Sequence, residues 1–217
     1  MKYSFRHLTI LAIFLFAGTA HSALVNIGAN NLAAGSPLIR TTSGAFLPAG
    51  MIVRIGTFAA GAPTINAGTT YAEINALFTP IGESSVDAND GTNGPLVMLG
   101  GGTNDGKFGG TISNVENSDP RFTALTTRLY IMILDVAPQA NMSLAAPTSW
   151  LIMSDATNWF IPSAGTKAIT ANQISASEIL AGQFVSSTEF RLVAIVPEPG
   201  SMAMCLAAAG LFLRRRR

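Results

Sequence analysis

Short apolar runs, bounded by Gly, Pro, Asn or Ser, recur along the middle of the chain. MIVRIGTF (Met51 to Phe58), PLVML (Pro95 to Leu99), RLYIMILDV (Arg128 to Val136), WLIMS (Trp150 to Ser154), NWFIP (Asn158 to Pro162) and EFRLVAIV (Glu189 to Val196) are rich in β-branched or aromatic residues. Such runs pack well on a pleated surface and predict strands. ALVNI (Ala23 to Ile27), PLIRT (Pro37 to Thr41) and KFGGTIS (Lys107 to Ser113) predict three weaker ones. About nine strands at this spacing predict a mainly β domain, an antiparallel β-sandwich or partly closed barrel. RLYIMILDV is apolar on both faces and is expected at the centre of a sheet. TYAEINALF breaks the pattern with helical periodicity: Thr70 and Glu73 have capping-box spacing, and Tyr71, Ile74 and Phe78 share a face. A second helical turn is expected near Ser177 to Leu180.

The two ends follow other rules. Lys2 and Arg6 precede an apolar run from Leu8 to Ala17, and Ala20 and Ser22 put small residues three and one before Ala23. This order predicts a secretory signal peptide over residues 1–22, a signal helix cut by signal peptidase between Ser22 and Ala23. At the other end, thirteen mostly apolar residues from Ser201 to Leu213 precede Arg214, Arg215, Arg216 and Arg217. As a helix the stretch rises only about 20 Å, against a hydrocarbon core of about 30 Å. The arginines supply what length does not, because a basic cluster is held on the cytoplasmic side of a membrane. A short hydrophobic transmembrane helix is therefore expected here. Pro197 and Pro199 lack backbone donors, and Pro199 disfavours helical angles at Glu198, so an extended, accessible segment is expected just outside that helix.

Val196-Pro197-Glu198-Pro199-Gly200, then a short hydrophobic stretch, then the arginine cluster, resembles the PEP-CTERM sorting tail of exported bacterial proteins. The resemblance covers about the last 22 residues. It implies a substrate of exosortase, a membrane-embedded, cysteine transpeptidase-like enzyme of Gram-negative bacteria that make exopolysaccharide. Pro197, Glu198 and Pro199 would be the recognition element, residues 201–213 the transient inner-membrane anchor, and Arg214 to Arg217 the cytoplasmic retention signal. The chain then divides into a signal peptide (1–22), a β-rich exported domain (23–195) and a sorting tail (196–217). The body also resembles uncharacterised exported domains that precede such tails, a likeness that brings no activity with it.

Charge reads differently once the ends are set aside. Of 13 basic and 12 acidic residues, the body keeps 7 and 11, a net −4 in place of the whole chain's +1. Nothing in it makes a basic nucleic-acid surface. Both histidines, His7 and His21, lie in the signal region, and Cys205 lies in the hydrophobic tail. The body thus has no Ser-His-Asp or Cys-His catalysis, no His or Cys ligands for zinc and no disulfide.

The remaining candidate chemistry is sparse. DANDGTNG gathers Asp87, Asn89, Asp90 and Asn93 as oxygen ligands, but an EF-hand would place glycine and glutamate where Thr92 and Met98 stand. Asp, Asn and Gly are equally the residues of turns, so metal is not assigned, and no cofactor is expected. GGGTNDGKFGG follows no nucleotide-loop spacing and is expected to join two hairpin strands. Paired carboxylates are the one catalytic device open to this body, with Glu73, Glu83, Asp87, Asp90, Glu116, Asp119, Asp135 and Asp155 as candidates. Nothing in the sequence brings two of them together, and an enzyme is not expected. Trp150, Trp159 and Phe160 would stack on sugar rings if exposed, or fill the core if buried. The expectation is a non-enzymatic cell-surface or extracellular-matrix protein; the alternative is a carbohydrate-binding module associated with exopolysaccharide.

Overall fold

YIMIL alternates perfectly between two apolar environments, and that alternation organises the molecule. The computed structural model describes residues 24–58, 60–83, 97–99, 102–116, 128–136, 146–162 and 165–195. The signal region with Ser22 and Ala23, the sorting tail with Pro197 to Pro199 and Arg214 to Arg217, and the Asp87 to Asn93 loop lie outside them. In chain order the strands are β1 (Leu24–Asn30), β2 (Leu38–Arg40) and β3 (Val53–Phe58), followed by helix α1 (Tyr71–Leu77). After it come β4 (Phe78–Glu83), β5 (Val97–Met98), β6 (Phe108–Glu116), β7 (Tyr130–Leu134), β8 (Ser149–Met153) and β9 (Gly165–Thr170). The last described strands are β10 (Ile179–Ala181), β11 (Gln183–Ser186), β12 (Glu189–Arg191) and β13 (Val193–Ala194).

The fold is mainly β, and the described residues form three sheets ordered β5-β6-β1-β9, β10-β8-β7-β3-β4 with β13 also on β8, and β11-β12-β2. β7 lies at the middle of the largest sheet with all five residues buried, as a run apolar on both faces demands. Ile131 and Ile133 point into one core with Leu151 and Met153 of β8, Val53 and Ile55 of β3, and Val25 and Ile27 of β1. Tyr130, Met132 and Leu134 point the other way, into a second core with Trp150, Ile152, Phe58 and Ile74 of α1. The helix begins where its cap is satisfied: Thr70 Oγ1 accepts from the Glu73 N–H at 3.3 Å while Glu73 Oε2 accepts from the Thr70 N–H at 2.8 Å. The 3₁₀ turn Ala176–Glu178 repeats the device with Ser175.

Several expectations need correction. The sheets are not purely antiparallel, because β1 pairs with β9 and β12 with β2 in parallel. Among the described residues no sheet closes into a barrel. NWFIP is not a strand: the Trp159 N–H donates to Asp155 O at 3.2 Å, closing a turn, and only Phe160 makes a bridge, to Arg128. EFRLVAIV is two strands in different sheets, since the Leu192 N–H still donates to Arg40 O of β2 while Val193 and Ala194 cross to β8. Among the described helices, none is long and apolar enough to cross a membrane.

Candidate functional site

Beyond β1 the chain must turn, and Asn31 fixes how. Its side chain is wholly buried, so all its polar capacity has to be met inside the protein. The Asn31 amide donates from Nδ2 to Pro37 O at 2.7 Å and to Gly106 O at 3.3 Å, and its Oδ1 accepts from the Phe108 N–H at 2.6 Å. One residue thereby ties the 33–37 segment to the loop before β6. That loop is the hairpin connection expected of GGGTNDGKFGG, as Val97 and Met98 of β5 pair antiparallel with Gly109 and Phe108 of β6. Gly106 has φ +73°, and a Cβ there would stand 2.9 Å from both Ile39 O and Phe46 Cδ1. Only glycine lets the loop approach this closely.

After β2 the chain reverses through a turn in which the Thr41 N–H donates to Ala45 O and the Gly44 N–H to Thr41 O. The reversal sets Phe46 directly across from Arg40 in an antiparallel bridge. Cross-strand neighbours share a face, and the Arg40 guanidinium sits 4.2 Å from the centre of the Phe46 ring. Arg40 Nη1 donates to Gly44 O at 2.9 Å. Its Nε lies 3.2 Å from Glu189 Oε2, an ion pair without hydrogen-bond alignment. Glu189 Oε1 accepts from Arg191 Nε at 2.6 Å, so this carboxylate bridges two guanidinium groups.

These walls enclose a groove of about 520 Å³ lined by residues 33–36, Leu38, Arg40, Phe46, Gly102, Thr103, Asp105, Lys107, Thr188 and Glu189. Its volume falls within the range of small-molecule clefts. Two cations and two carboxylates line it, a balance that favours neither an anion nor a cation. Ser36 is 5% exposed, and among the described residues its buried Oγ has no hydrogen-bond partner. A second groove, about 370 Å³, runs past Ile65, Asn66, Thr69, Trp150 and Gly182. Among the described residues no charged side chain lines it, and Asn66 Oδ1 and Thr69 Oγ1 accept hydrogen bonds within their own turn.

Of the aromatic and acidic candidates, Trp150, Trp159, Asp135, Asp155 and Glu73 take structural places, Phe160 is half-buried next to Trp159, and the side chains of Glu83, Asp87, Asp90, Glu116 and Asp119 lie outside the described ones. Trp150 and Trp159 are each 2% exposed, so neither presents a ring face to a sugar. Asp135 is clasped by Thr148 and Ser149, accepting from both backbone N–H groups at 2.8 and 2.9 Å and from both hydroxyls. Burial pushes its carboxyl up, but these four hydrogen bonds outweigh that and hold it below the usual carboxylate range. At Asp155 burial likewise pushes up, and the Asn158 side chain, the Thr157 and Asn158 N–H groups and the Arg128 charge bring it down. Asp155 closes a turn, and Asp135 pins the start of β8 to the end of β7. Glu73 serves the α1 cap. The Asp87 to Asn93 loop lies outside the described residues, and among those searched no cluster of metal-ligating side chains occurs. No family model, curated protein or solved structure matches this chain.

Proposed function

We propose that the protein is exported, sorted through its C-terminal PEP-CTERM signal and left at the cell surface or in the extracellular matrix as a non-enzymatic component. The observation that carries this reading is the order Pro197-Glu198-Pro199, thirteen mostly apolar residues, four arginines. In it the signal peptide is cut between Ser22 and Ala23, the tail holds the chain transiently in the inner membrane, and exosortase acts near Pro197 to Pro199. The body is a β-sandwich variant in which the six-stranded sheet faces the β1–β6 sheet on one side and α1 on the other. The non-catalytic reading is supported by three of the candidate acids being spent on folding: Asp155 closes a turn, Asp135 ties the end of β7 to the start of β8, and Glu73 caps α1.

Fractionation tests the reading. With Arg214 to Arg217 deleted, the tail loses its cytoplasmic hold, and the chain is expected to leave the membrane unprocessed while the wild type reaches the surface or matrix fraction shortened. Identical size and location for the two would overturn it.

A further inference from the structure

We propose that the groove between the 33–40 segment and the 102–107 loop is a binding site for a neutral, hydroxyl-rich oligosaccharide, with a sugar ring laid against Phe46. The inference rests on the groove alone and not on the sorting tail. Phe46 is 41% exposed and, among the described residues, is the one aromatic among the large hydrophobic side chains that stand out in solvent, whereas Phe58, Phe78, Phe108 and Phe190 are buried. Arg40 covers one face of its ring, which fixes the ring's orientation without removing it from water. A pyranose matches such a surface, because its C–H face is apolar and its rim carries hydroxyls.

The polar lining has the chemistry a hydroxyl needs, for a hydroxyl both donates and accepts. Lys107 supplies donors, and Arg40 retains its Nη2 group after Nε and Nη1 are engaged. The Glu189 carboxylate accepts one hydrogen bond, from Arg191, of the roughly four its oxygens can take. The balance of charge argues against phosphate or a polyanion, which a cationic groove would hold better. A peptide strand is also disfavoured: β2 is paired with β12 on one edge, and on the other Ile39 bonds Gly106 and Leu47. Asn31 and Gly106 hold the walls in place before any ligand arrives, which lowers the ordering cost of binding.

The test is binding of the protein purified from its host to immobilised hexasaccharides of glucan, mannan, galactan and N-acetylglucosamine, with oligogalacturonate as the acidic counterpart. The wild type is expected to retain at least one neutral hexasaccharide, and Phe46→Ala to weaken that binding about tenfold or more, with Phe46→Tyr near wild type. Because Phe46 also touches Gly106, Thr103→Trp, at an exposed loop position, provides an independent block and is expected to abolish binding without lowering the melting temperature. Retention of none of the five, binding to oligogalacturonate alone, or wild-type binding by folded Phe46→Ala or Thr103→Trp overturns the proposal. Tail processing enters none of these readouts.

Discussion

Asn31→Ala puts the fold and the groove to the same test. The substitution removes three hydrogen bonds at a wholly buried position. Gly106 O keeps a partner, since the Ile39 N–H donates to it at 2.7 Å, but Pro37 O and the Phe108 N–H lose theirs. A buried group left without a partner costs about 1–3 kcal/mol. Two such groups give about 2–6 kcal/mol, and water entering from the adjacent groove places the expected loss near 3 kcal/mol. Against a total of about 5–15 kcal/mol for a domain, that is a large fraction. Urea unfolding followed by tryptophan fluorescence suits the measurement, because Trp150 and Trp159 are both buried. Asn31→Asp should be no better than alanine: it keeps an acceptor for Phe108 but sets a buried charge against two carbonyls. A loss below about 0.5 kcal/mol for Asn31→Ala would refute the claim that this amide ties the two walls together.

Two further outcomes follow from the buried polar and aromatic groups. Asp135 and Asp155 titrate in the fold below their ordinary 3.8, so the stability they contribute is complete above that pH and is lost as pH falls through 3.8 toward the folded values. Acid unfolding of Asp135→Asn is therefore expected to show a shallower decline below pH 3.8 than wild type, and an unchanged decline would remove Asp135 from the account. Trp159→Ala should cost about 3–5 kcal/mol by chemical denaturation, as expected for a large aromatic lost from a packed core; a near-neutral result would mean that the ring is not in that core.

Strands buried on both faces were the most legible part of the chain. MIVRIGTF, RLYIMILDV and WLIMS became β3, β7 and β8 because a sheet covered on each side needs continuous apolar runs. The α1 boundary was legible through Thr70 and Glu73, whose chemistry is local. What escaped depends on tertiary placement. β4 carries Pro80 and Gly82, which read as breakers, yet it is an edge strand whose register shifts beside Gly56. β9 is largely exposed and lacks an apolar run, and its parallel partner β1 lies far away in sequence. NWFIP failed in the opposite sense, an apolar run buried as a turn around Asp155. The groove was the least legible feature, for Arg40 and Phe46 meet only after the TTSGA turn reverses, and Asn31 and Gly106 only once β1 and β6, far apart in sequence, pair in one sheet. A lone phenylalanine in a Thr/Ser/Gly loop was the one signal the sequence offered.

The central claim concerns what happens to the ends of the chain, and intact mass spectrometry of the protein from its native host tests it most directly, with wild type beside Glu198→Ala. The account predicts a wild-type species that begins at Ala23 and lacks Arg214 to Arg217, with tail processing lost in the variant and any added mass identifying what has been joined to the new end. A wild-type species that still carries Arg214 to Arg217 would contradict it.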